Sequence, residues 1–424
     1  MSESDMTMAV TPSEKEFKEI ERLDSRHSRE PVILGNVAID RNSLDAAAFT
    51  SAGQLLPYYS THFLPGYSKA QVAWIGSVQP LMVFSPAVLT GRFFDVHGAR
   101  IQSVSGTLIA FGAIVALSFS KEYYQLLLSH LCFGIAGGLV YAPSTAVAGH
   151  WFLKRRSTAV GIIVGGSGLG GVIYPICMKV MLDKLSFRNT MLIIAGCNLV
   201  LMAPGCVWMK ARLPPKTPPP WRTLLKPWHD LRFVFLVLSC STYGFGLLTG
   251  YFNAPTLATG NKLSPNLIAY SVAILQAGSF VGRIAYGMFA DRFGVGPTFG
   301  SLAFSTSVTY YAFWTPNTGP VGTCFGLVLF GIFSGAWFTL AASATAHISP
   351  PEELGSRIGM MWTSIAIPVL LGPVISGYLV SAAGESRFTY AGIFAGSTML
   401  ISGLLYVAPH LWRLVRRSKE SNAA

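Results

Sequence analysis

Eleven stretches of this chain are long, apolar and almost free of charge, and that segmentation constrains its fold more than any other feature. They run over about 71–90, 101–120, 123–149, 157–178, 189–209, 233–257, 264–290, 297–315, 319–347, 358–384 and 388–409. A bilayer core about 30 Å thick is crossed by roughly 20 residues of helix rising about 1.5 Å each, so each stretch is long enough to span. Composition points the same way: 51% of the 424 residues are hydrophobic and 12% are charged, with a mean hydropathy of +0.47. That is more apolar surface than one water-soluble core hides. The 43 glycines and 25 prolines sit inside apolar runs, where membrane helices tolerate them. The expected class is an all-α membrane protein whose partner is the lipid bilayer.

A further segment, 46–60, is apolar over only about three-quarters of a span. It reads as a shortened first helix, giving twelve spans in two six-helix halves; eleven spans is the alternative. Lysine and arginine concentrate on the cytoplasmic face of membrane proteins. One side of this chain carries 17 of them in its loops and C-terminal tail, the other 7. The first side is therefore read as cytoplasmic, in a protein expected at the plasma membrane with both termini inside. The domains that follow are a hydrophilic cytoplasmic tail (1–45, with ten acids), an N-terminal half (46–209), a Pro-rich linker (210–232, containing LPPKTPPPW), a C-terminal half (233–410) and a basic tail (411–424).

The pattern G-x-x-x-D-x-x-G occurs twice, as Gly91, Asp95 and Gly98 and again as Gly287, Asp291 and Gly294, at a constant offset of 196 residues. Equal offsets in two halves of similar length argue for duplication. The first glycine of each copy allows close helix approach, the last permits a turn, and the aspartate suits the backbone N–H groups of a helix N-terminus. Arg100 and Arg292 accompany the two copies, and the set is expected to act as gating loops.

Arg283 is the one charge well inside a span, eight residues before Asp291. A central arginine costs roughly 2.5–3.5 kcal/mol on insertion scales, so it is read as functional. Its repeat-equivalent position is Ala87, which sets the charge apart from the duplicated frame. Gln276, Asn253, Tyr243 and Tyr58 are the accompanying candidates for lining a substrate cavity. His130 reads first as a hydrogen-bonded packing residue and second as a proton carrier. VGGSGLGG (164–171) reads as a close-packing helix face, since no lysine follows as in a phosphate loop. The six cysteines, all in apolar runs, read as buried packing residues. No metal spacing, cofactor motif or catalytic constellation occurs. The net charge of +12 is scattered between spans, which argues against nucleic acid.

Four segments carry a family resemblance: AWIGSVQPLMVFSPAVLTGRFFDVHGAR, GIAGGLVYAPSTAVAGHWFLKRRSTAVGI, ILQAGSFVGRIAYGMFADRFG and RIGMMWTSIAIPVLLGPVISGYL. They resemble the major facilitator superfamily, and within it the fungal branch of the monocarboxylate porters, over about 50–410; HWFLKRRSTAVGI is the most specific part. The resemblance implies the major facilitator fold, alternating access, and a substrate carboxylate held by Arg283. Two departures stand out. The D-G-G-x-x-A-W type opening of the first helix is replaced by GNVAIDRNSLDAAAFTSAG, pointing to a truncated helix or a misjoined gene model, and Ser279 stands where some members carry an aspartate for proton coupling. The expected function is secondary transport of a small organic acid or related secondary metabolite, in the export direction. A proton-coupled uptake porter and a non-transporting sensor are the alternatives.

Overall fold

The computed structural model describes residue 55 and residues 58–423, apart from 68, 153–154, 209–220, 317, 351–352 and 384–388. The hydrophilic tail, most of the proposed first helix and the Pro-rich core of the linker lie outside the described residues. What is described is helical. We label the helices α1 (Lys69–Phe84), α2 (Ala87–His97), α3 (Ala99–Phe119), α4 (Tyr123–Trp151), α5 (Arg156–Lys184) and α6 (Phe187–Trp208). After a 3₁₀ segment, Trp221–His229, follow α7 (Leu231–Gly260), α8 (Pro265–Phe293), α9 (Val295–Thr309), α10 (Gly319–His347), α11 (Leu354–Ala383) and α12 (Thr389–Ala423).

Among the described residues, nine helices are long and apolar enough to cross a membrane. The sequence pattern gives eleven because two spans are interrupted. The second is broken at Ser85 and Pro86 into α1 and α2, as the proline ring and missing N–H dictate. The ninth ends in a π-turn, Tyr310–Trp314. At the chain's end α12 runs past the expected limit of 410 to Ala423, so the basic tail prolongs a helix.

Association in lipid gains little from hydrophobicity and depends on packing and hydrogen bonds between helices. The α8–α10 pair shows the packing. Gly278 and Gly282 of α8 lie against the backbone of Val328 and Ile332, while Gly331 and Gly335 of α10 lie against that of Leu275 and Ser279. Two small-xxx-small faces therefore meet, and a methyl group at any of the four would strike main chain. The α7–α12 pair shows the hydrogen bonding: Ser239 donates to the Ser402 carbonyl at 2.9 Å and Ser402 to that of Ser239 at 2.8 Å. The cysteines correct the sequence reading. Only Cys240 is buried, and Cys177 and Cys197 are exposed; a thiol is apolar enough to face acyl chains.

Helices α1 to α6 pack among themselves, as do α7 to α12, and the two sets meet chiefly through α5 against α8 and α2 against α11. The first contact runs nearly the whole helix length, from Ser157 beside Gly287, through Gly168 on Phe280 and Gly171 on Gln276, to Lys179 5.3 Å from the Tyr270 ring centre. The glycines of VGGSGLGG are what bring α5 so near α8.

Candidate functional site

The repeated motifs end helices. Gly91 to His97 and Gly287 to Phe293 are the last turns of α2 and α8, so these segments are helical where the sequence suggested loops; only Gly98 (φ 74°) and Gly294 (φ 93°) turn away. Each aspartate is thereby aimed at the first turn of a helix in the other set. Asp95 accepts from the backbone N–H of Gly355 (3.0 Å) and Ser356 (2.8 Å) and from the Ser356 hydroxyl (2.6 Å) at the start of α11. Asp291 accepts from the N–H of Ser157 (3.0 Å) and Thr158 (2.8 Å) and from the Thr158 hydroxyl (2.6 Å) at the start of α5. Those N–H groups have no intrahelical partner, and the helix dipole adds to their attraction for a carboxylate. The two clamps match bond for bond. Gly91, facing the Gly355 carbonyl, and Gly287, facing that of Ser157, let the helices come close enough to form them. Burial raises the Asp95 carboxyl to about 6, against the bonds from Ser356 and Gly355, which lower it.

Arg283 lies deeper along α8 and is 3% exposed. Its Nη1 donates to the Val164 carbonyl of α5 at 2.7 Å, and its guanidinium carbon sits 5.2 Å from the Phe338 ring centre. Among the described residues it has no carboxylate partner and its Nε–H is unpaired. Tyr251 stands beside it, linked to Ser279 (3.3 Å) and Ser334 (3.0 Å). A buried guanidinium held by the Val164 carbonyl and by Tyr251 still has its Nε–H to offer to something else.

Aromatic rings from both sets surround it. Trp362 of α11 stacks on Phe84 of α1 (5.2 Å, 15°) and Phe338 of α10 (6.2 Å, 24°), and meets Tyr141 of α4 and Trp337 edge-on at 5.1 and 5.9 Å. Of the cavity candidates named from sequence, Tyr243 joins this group, lying flat on Trp337 at 4.8 Å with its hydroxyl on Thr306. Gln276 lies on the α5–α8 contact, and Asn253 is held by the Thr249 carbonyl and the Ser376 hydroxyl. Tyr58 is away from Arg283, stacked against His62 and Phe187. Arg100 and Arg292 are exposed near the clamps. His130 binds Gln79 (2.8 Å) and Tyr59 (3.2 Å) beside a separate cavity of the first helix set. Trp337, Phe338, Trp362, Tyr141 and Tyr251 were missed, because an aromatic in an apolar run looks the same whether it faces lipid, core or ligand.

Two helical sets, pinned together at one end by paired aspartate clamps and sharing a buried cation that has no carboxylate partner among the described residues, define a multi-pass membrane transporter of small molecules. Family comparison makes this specific. The model of the Major Facilitator Superfamily matches residues 42–252 and 234–424, and the chain belongs to that family. It is 31% identical over 362 residues to the MFS transporter asaE of Aspergillus flavus, covering 84% of this chain and 81% of the relative. It is 32% identical over 372 residues to the fujikurins efflux protein of Gibberella fujikuroi (85% and 80%). Over 351 residues it is 31% identical to the aspyridones efflux protein apdF of Emericella nidulans (82% and 71%). In fold it is similar to the human organic anion transporter MFSD10, with a TM-score of 0.71 at 17% identity over 89% of this chain and 99% of that one. The proton:xylose symporter XylE gives 0.73 at 11% identity (89% and 95%).

Proposed function

We propose that this protein exports a small organic acid of secondary metabolism, anchoring the acid group on Arg283 while the two helix sets rock about it. The observation that carries the reading is a buried guanidinium with no carboxylate partner among the described residues. A planar fork of this kind holds a carboxylate through two parallel hydrogen bonds. The direction of transport rests on the relatives named as efflux proteins for fujikurins and aspyridones. The halves are taken as 46–209 and 233–410 joined by the linker 210–232, with both termini cytoplasmic at the plasma membrane. The placement among the fungal monocarboxylate porters rests on the four segments that resemble them, HWFLKRRSTAVGI above all, and the role of Arg283 is carried over from that resemblance. Ser279 in place of an aspartate leaves, among the described residues, no carboxylate beside Arg283 to relay a proton, and His130 is the remaining titratable candidate within the spans.

The test compares efflux of native acidic metabolites from cells expressing wild type, Arg283→Ala and Arg283→Lys at equal surface abundance. Both variants are expected to lose at least tenfold in rate, Arg283→Lys because an ammonium is a point charge without the fork. Efflux unchanged in Arg283→Ala would sink the reading.

A further inference from the structure

The contacts that hold Arg283 and its aromatic neighbours in this closed arrangement cross between the helix sets. Phe84, from the first set, covers one face of Trp362, from the second. The Val164 carbonyl of α5 occupies Nη1 of Arg283 on α8. When the sets part, both partners withdraw together, leaving a flat indole face and a guanidinium edge joined through Phe338, which touches each. Both contacts therefore act as stand-ins: one is a planar ring, the other an oxygen acceptor.

A second observation concerns polar atoms. Among the described residues, the indole N–H of Trp337, the indole N–H of Trp362 and the Nε–H of Arg283 are all buried and without a hydrogen-bond partner. Buried donors are nearly always paired, and an orphan costs about 1–3 kcal/mol. Three orphans in one constellation, every one a donor, point to a ligand that brings oxygen acceptors at several positions.

We infer that the substrate is a flat, conjugated, polyoxygenated acid, whose ring system takes the place of Phe84 on Trp362, whose acid group takes the place of the Val164 carbonyl on Arg283, and whose ring oxygens accept from the indole of Trp337, which stands edge-on to Trp362. The inference rests on the carboxylate reading of Arg283 and adds specificity to it. Aromatic stacking rewards a planar ligand over a saturated chain of equal size, and the Trp337 indole donor rewards keto, enol or phenol oxygens over plain hydrocarbon.

The test uses the purified full chain and three probes: a hydroxyanthraquinone carboxylic acid, the corresponding carboxamide, and dodecanoate. Binding is read by isothermal titration in wild type, Arg283→Gln, Trp337→Phe, Trp362→Phe and Trp362→Leu, each checked for a monodisperse elution profile. The anthraquinone acid is expected to bind most tightly. Loss of the N–H in Trp337→Phe should weaken it roughly three- to tenfold, Trp362→Phe should weaken it little because a stacking ring remains, and Trp362→Leu should weaken it further than either; if Trp362→Leu does not fold, Trp337→Phe decides. Arg283→Gln should reduce the acid to the affinity of the carboxamide. Dodecanoate binding as tightly as the anthraquinone acid, or indifference of the acid to Trp337→Phe, overturns the flat-ligand inference while leaving the carboxylate site standing. Equal affinity in Arg283→Gln overturns the carboxylate reading and this inference together, as does absence of binding for all three probes.

Discussion

Tyr251 connects the buried cation to the scaffold. Its hydroxyl bridges Ser279 on α8 and Ser334 on α10 next to the arginine, so it fixes the level at which the guanidinium sits. In Tyr251→Phe the ring still packs against Phe330, and Ser334 keeps its bond to the Gly331 carbonyl. The expected stability loss is therefore small, about 1 kcal/mol as a lowered melting temperature. Transport should suffer more, with a several-fold rise in KM because Arg283 loses its register; equal KM in the two proteins counts against a positioning role. Arg283 itself was legible in the sequence, since charge inside a span is rare. Its surroundings were not: which of 27 phenylalanines, 16 tyrosines and 9 tryptophans converge on one point depends on helix rotation, and apolar runs flanked by lipid and protein alike carry no periodicity to reveal it.

At the level of helices, the spans could be read because a bilayer sets their length, whereas their interruptions and partners could not. The aspartates of the repeated motif were recognisable as partners for helix N-termini, but that α11 and α5 supply them follows only from how the two sets pair. The glycines divide in the same way. Gly282 is pressed against the Ile332 backbone, while Gly112 of α3 has open space where a side chain would go. Gly282→Leu should therefore destabilise by roughly 1–3 kcal/mol or more through overpacking that main chain cannot relieve, whereas Gly112→Leu should leave the melting temperature in detergent unchanged. Equal effects at the two positions would show that the α8–α10 contact is looser than described.

For the whole molecule, the proposed rocking of the two helix sets would require the paired clamps to open once per cycle. Thr158 and Asp291 touch through their side chains, as do Ser356 and Asp95. In a background with the six native cysteines replaced, the pair Thr158→Cys and Asp291→Cys should cross-link under mild oxidation and stop transport, and a reductant should restore it. Transport that persists with the cross-link fully formed would falsify the clamp's role in the cycle. Protonation adds a second handle. Burial, with the nearby Glu353 adding to it, holds the Asp95 carboxyl at about 6 in the closed state, although Ser356 and Gly355 pull the other way. Glu353 is itself paired with Arg357 at 3.0 Å. Once the clamp opens and water reaches it, Asp95 returns toward an ordinary carboxylate near 4. The closed state therefore binds the proton more tightly, so acid favours closure, and that advantage is present below the open-state value and lost as pH rises through about 6. Spin labels on the exposed positions 97 and 293, at the ends of α2 and α8, should report a growing short-distance population as pH falls from about 7.5 to about 5.5. Asp95→Asn removes the titrating group while keeping an acceptor, and it should flatten that response; a response that survives the substitution assigns the pH dependence to another group.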